Sequence, residues 1–78
     1  MIILKNLKLL RKKRRITQIN LQIKTGIDQS LISKYELGER IPTSENLLIL
    51  ANFFNTSLDY LMDLTDEDQP YPRKSKNE

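Results

Sequence analysis

Apolar residues recur along this chain mainly at three- and four-residue steps, the spacing of helices with one buried stripe. Leu4, Leu7 and Leu10 make such a stripe on a first helix from about Leu4 to Lys13, with Ile16 just beyond it. Thr17 suits the N-cap of a second helix that carries Leu21 and stops before Gly26. Asp28 opens a third, which ends at Gly38. Pro42 biases Ile41 away from helix, so "ERIP" reads as a loop. Thr43 or Ser44 caps a fourth helix, with Leu47, Leu50, Ala51 and Phe54 at i, i+3, i+4 and i+7. Ser57 caps a fifth, with Leu58, Leu61 and Met62 turned inward. After Leu64 the chain becomes "TDEDQPYPRKSKNE", polar and broken by proline. The pattern predicts an all-α bundle of five short helices over residues 1–64, followed by a mobile tail at 65–78. No strand and no internal repeat is expected.

The third helix has an unusual outer face. At about 100° per residue, Ile32, Tyr35 and Glu36 fall on one side, and Ser30, Ser33, Lys34 and Leu37 on the other. Surface helices ordinarily turn long Glu and Lys side chains outward, whereas this one offers short serines beside a single lysine. Helices two and three, joined by "KTGI", have the dimensions of a helix-turn-helix over about residues 17–37, whose second helix enters a DNA major groove. Leu21, Ile27, Ile32 and Tyr35 would pack the pair together. Spacing alone leaves an ordinary αα-corner open.

Charge bears on that choice. The net charge of +3 is unevenly spread: residues 1–42 hold ten basic residues against three acidic ones, a net +7, and residues 43–78 hold three against seven, a net −4. The first half is built to meet a polyanion. For "RKKRR", Arg11 to Arg15, a solvated basic helix stays open as well.

Composition narrows the chemistry. At 78 residues the chain is one domain's worth, and a domain of this size buries only about 60% of its unfolded surface. It has no cysteine and no histidine, which removes disulfides, thiolate zinc sites, His-activated nucleophiles and His metal ligands. Asp59 and Asp63 lie one helical turn apart, but with no histidine and no glycine loop nearby they read as a solvated face. No enzyme, cofactor, metal site or small-molecule ligand is expected. The N-terminus lacks a charged region ahead of a long apolar run, so it does not read as a signal peptide. The longest apolar run, Leu47 to Phe54, has eight residues including Asn52, where a membrane span needs about 20. A soluble cytoplasmic domain is expected.

The stretch "TQINLQIKTGIDQSLISKYELGERIPTSENLLILANFFNTSLDYLM" resembles the Cro and phage-repressor type of helix-turn-helix, the XRE family. The resemblance covers roughly Leu7 to Met62 and rests on Thr17-Gln18, Leu21, Gly26, Ile32-Ser33, Glu36, Gly38, Pro42, the "L..LA..F" of helix four and "SLDYL". It implies a lambda-repressor-like domain acting as a sequence-specific transcriptional regulator on double-stranded DNA. Carried over position by position, Gln29, Ser30, Ser33 and Lys34 match base-reading positions, and Thr17, Gln18 and Arg40 match phosphate-contacting ones. Gln suits adenine, Lys suits guanine, and Ser bonds to either base or phosphate.

Arg11 is the matching basic position on helix one. It would pair with inward-facing Glu36, where an unpaired carboxylate is costly; two independent surface charges are the alternative. Four residues depart from the family pattern. Gln22 replaces a small residue and puts the crossing of helices two and three in doubt. Leu31 and Leu37 replace polar residues, Leu31 either touching a thymine methyl or packing on a neighbour. Glu39 puts an acid in a loop that is often basic.

A homodimer is expected, with Leu58, Tyr60, Leu61, Met62 and Leu64 at its seam. Repression by occlusion of a palindromic operator, near the nucleoid of a bacterium or in a phage context, is the default reading. A protein-interaction module of the same fold, such as the antitoxin subunit of a toxin–antitoxin pair, is the alternative.

Overall fold

The computed structural model describes residues 4–70, which fold into five α-helices. They are α1 (Lys5–Lys13), α2 (Gln18–Thr25), α3 (Gln29–Leu37), α4 (Ser44–Phe54) and α5 (Leu58–Leu61). No strand occurs among the described residues. The core is assembled from every helix: Leu7 and Leu10 of α1 with the preceding Leu4, Leu21, Ile32, Tyr35, Leu50, Phe54 and Leu61, joined by Ile27 from the α2–α3 turn. α2 packs on α3 and α4, while α1 packs on α3 and α5. No described helix is long and apolar enough to cross a membrane.

Local chemistry starts and stops most of these helices. The Thr17 hydroxyl accepts the Asn20 N–H at 3.0 Å, Thr43 accepts Asn46 N–H at 3.1 Å, and Ser57 accepts Tyr60 N–H at 3.0 Å. Each satisfies one of the first-turn donors that have no carbonyl inside their own helix. Gly26 and Gly38 close α2 and α3 in the left-handed region, both at φ 78°, where a side chain would be strained.

Two helix starts are built from farther away. Asp28 holds the N-cap position of α3, yet its side chain takes no backbone N–H; the Gln22 Oε1 accepts the Gln29 N–H instead, at 2.7 Å. Leu4 cannot cap α1. There the two carboxylate oxygens of Asp63 accept the Lys5 and Asn6 N–H groups, each at 2.8 Å. Asn6 adds Nδ2 bonds to the Tyr60 carbonyl at 2.8 Å and the Thr65 carbonyl at 3.4 Å, and Thr56 Oγ1 donates to the Asp68 carbonyl at 2.7 Å. The chain just past Leu64, expected to be mobile, is therefore tied to the bundle as far as Asp68; residues 71–78 of the expected tail lie outside the described residues.

Candidate nucleic-acid interface

The orientation of α3 is set by what it buries. Ile32 and Tyr35 are enclosed, and the Tyr35 hydroxyl accepts a bond from Asn46 Nδ2 at 2.9 Å. Glu36 is only 7% exposed. Its carboxylate meets Arg11 in a fork, Nε to Oε2 at 2.7 Å and Nη2 to Oε1 at 3.0 Å. Arg11 Nη1 also donates to the Ile16 carbonyl at 3.0 Å. Its hydrogen bond to the Glu36 carboxylate holds the Arg11 guanidinium above its ordinary pKa, against the opposing effect of burial. This is a partly buried pair and not two separate surface charges.

The pair continues outward. Gln18 Nε2 donates to Glu36 Oε1 at 3.0 Å, and Gln29 Nε2 donates to Gln18 Oε1 at 2.7 Å. A single hydrogen-bonded chain thus runs from α1 through α3 and α2 to the first residue of α3. It brings together four expected site residues, Arg11, Glu36, Gln18 and Gln29. A primary amide has two N–H donors and a carbonyl acceptor. Gln29 therefore keeps one N–H and its Oε1 for an outside partner, and Gln18 keeps one N–H.

The remaining expected contacts lie nearby in the fold with different freedoms. Ser30 is exposed, and its hydroxyl is bonded to the Asp28 carboxylate. Ser33 and Lys34 are half-buried, while Thr17 and Arg40 are exposed. The Thr17 oxygen is engaged as a cap, which leaves its hydroxyl proton to donate. Neither Lys34 nor Arg40 forms an ion pair among the described residues. Arg11, Lys12, Arg15, Thr17, Gln18 and Gln29 line a shallow, open concavity at the start of α2.

The departures from the family pattern resolve individually. Gln22 bonds across the α2–α3 junction, where its Oε1 accepts the Gln29 N–H in place of an Asp28 cap. Leu31 is half-buried against the core, which favours packing over a thymine contact. Leu37 and Glu39 stay exposed. Leu61 is a correction: it is fully buried in the core and cannot line a seam between copies. Leu58, Tyr60 and Met62 are half-buried, and Leu64 is 73% exposed.

Sequence reasoning missed Arg14. Its guanidinium donates to the Phe54 carbonyl at 2.7 Å and the Phe53 carbonyl at 3.3 Å and lies 5.3 Å from the Phe54 ring centroid. It satisfies the carbonyl end of α4, where a cation is favoured. The "RKKRR" run is therefore mixed, with Arg11 and Arg14 turned to the fold.

Residues 7–61 match the helix-turn-helix family, from within α1 to the end of α5. The chain belongs to the XRE-type helix-turn-helix family. Its relatives include three proteins of Bacillus subtilis (strain 168). The uncharacterized HTH-type transcriptional regulator YqaE is 42% identical over 57 residues, 73% of this chain and 49% of that protein. The uncharacterized HTH-type transcriptional regulator YobD is 38% identical over 64 residues, 82% of this chain and 57% of that protein. The HTH-type transcriptional regulator ImmR is 40% identical over 58 residues, 74% of this chain and 46% of that protein. This XRE-type chain spans about half the length of the curated relatives it matches. No solved structure gives a significant match.

Proposed function

We propose that this XRE-type chain reads DNA sequence for a transcriptional regulator, with α3 laid in the major groove. The observation that carries the reading is the chain from Arg11 through Glu36 and Gln18 to Gln29. It fixes the first side chain of α3 on a partly buried ion pair and leaves that amide an N–H and an oxygen, the pattern that suits adenine N7 and N6. Ser30, Ser33 and Lys34 supply further base contacts on the same helix, and Thr17, Gln18 and Arg40 hold phosphates on either side. Phosphate contacts set the register, and base contacts set the sequence. The names of the three relatives, all transcriptional regulators, support the same reading; no catalytic role is part of it.

The regulator acts as a homodimer on a palindromic operator and represses by occlusion. One recognition helix reads too few base pairs for typical specific affinity. Two copies related by a two-fold axis place their α3 helices about 34 Å apart, on successive major grooves. Leu58, Tyr60, Met62 and Leu64 remain as the apolar surface for that seam once Leu61 is assigned to the core. Sedimentation at micromolar concentration tests it: dimers are expected, and a strict monomer that still binds a palindrome tightly contradicts the seam.

A second reading, a protein-interaction module such as an antitoxin subunit, draws on one observation: Ile19 and Ile23 of α2 are 53% and 73% exposed. Binding to random duplex DNA at low and high salt separates the two. A regulator loses affinity steeply with salt, because counterions released into more concentrated salt gain less entropy; a pure protein module shows no DNA affinity to lose.

A further inference from the structure

Arg15 stands in the turn between α1 and α2 with φ 57°, in the left-handed region. A helix ending in this way usually puts glycine there, because a Cβ is crowded. Two other described non-glycine residues have positive φ, Asn55 and Asp63, and short polar side chains of those types tolerate it. Arginine has no such advantage. The turn is otherwise regular, with the Arg15 N–H bonded to the Lys12 carbonyl at 3.0 Å and the Ile16 N–H to the Arg11 carbonyl at 3.2 Å. Backbone outliers of this kind cluster where a side chain serves function.

Arg15 has a setting that would use its charge. It lines the concavity at the start of α2 together with Lys12, Thr17, Gln18 and Gln29, and no carboxylate lines it. Arg11 lines it too, but its charge is committed to Glu36. Lys12 and Arg15 are exposed and form no ion pair among the described residues. Their neighbours differ: Arg14 is bonded to the end of α4, and Lys13 lies 3.9 Å from Asp68. Two unneutralised cations therefore share one open groove with the residues that carry the proposed DNA contacts.

We propose that Lys12 and Arg15 grip the DNA backbone at a phosphate beyond the one met by Gln18, extending the contact from the α3 groove along the strand. The assignment rests on the DNA-binding reading above. A phosphate contact carries no base identity, so both raise affinity for every sequence alike and leave preference unchanged. Arg15 keeps its strained backbone because the guanidinium at that point contributes to binding.

The test measures binding of the full chain to a preferred duplex and to a random duplex across a salt series, for wild type, Lys12→Ala, Arg15→Gly, Arg15→Lys and Lys13→Ala. Lys12→Ala and Arg15→Gly should each flatten the dependence of log affinity on log salt by about one unit on both duplexes, with the preference ratio unchanged. Arg15→Lys should restore the slope, and Lys13→Ala should change it less than either. Arg15→Gly should also melt no lower than wild type, because glycine relieves the turn while the contact is lost. Wild-type slopes in both Lys12→Ala and Arg15→Gly, with the wild-type protein still binding DNA, overturn the proposal and leave the DNA reading intact. A changed preference ratio overturns it as well, by making these side chains part of base reading. Wild-type protein that binds neither duplex overturns the DNA reading, and the proposal falls with it.

Discussion

Gln29 Nε2 donates to Gln18 Oε1 at 2.7 Å, so the first residue of the proposed reading helix is held by the first residue of the helix before it. This bond fixes the Gln29 amide before any ligand arrives and lowers the cost of ordering a flexible side chain on binding. Gln29→Ala should weaken the preferred site by about 1–3 kcal/mol and relax preference at one base position per half-site. Gln18→Ala should weaken binding too, and the double variant should lose less than the two singles summed, because the residues act through one bond. Full additivity in a double-mutant binding cycle would show that the bond does not matter to recognition.

Glu36 is the anchor beneath that bond. Its carboxylate accepts from Arg11 twice and from Gln18 once, with the Glu36 side chain 4% and the Arg11 side chain 11% exposed. Removing it strands a half-buried guanidinium and an amide. Glu36→Ala should destabilise the fold by about 3–5 kcal/mol, the range for a broken buried pair. Denaturant unfolding checks this, and a loss below about 1 kcal/mol would mark the pair as surface decoration.

Asp63 starts α1 from the far end of the chain. Its two oxygens take the Lys5 and Asn6 N–H groups that Leu4 cannot satisfy. Asp63→Ala should cost about 0.5–2 kcal/mol, as loss of an N-cap does, and amide exchange should speed first at the start of α1. Exchange at Lys5 and Asn6 equal to wild type would show that α1 begins without the carboxylate.

These cases show what the sequence makes legible. Thr17, Thr43, Ser57, Gly26 and Gly38 act on backbone within a few residues, so pattern alone places five helix boundaries close to where they fall. The inward position of Glu36 follows from helical spacing, and its partner Arg11 from the family resemblance. The roles of Asp63 and Arg14 depend on groups 58 and 40 residues away along the chain, which no local rule connects. The Gln22 bond was hidden for another reason: Asp28 is the better cap by residue type, and its carboxylate bonds the Ser30 hydroxyl instead. Leu61 misled because an apolar residue on a short final helix suits core and seam equally.

Base reading by α3 is open to direct test by selection of bound sequences from a random DNA pool. An enriched palindrome with half-sites about 10 base pairs apart, centre to centre, is expected. In the same experiment, Gln29→Ala should lose preference at one symmetric pair of positions and keep the rest. A pool that shows no enrichment over many rounds, or a consensus that Gln29→Ala, Ser33→Ala and Lys34→Ala all leave unchanged, would contradict base reading by α3.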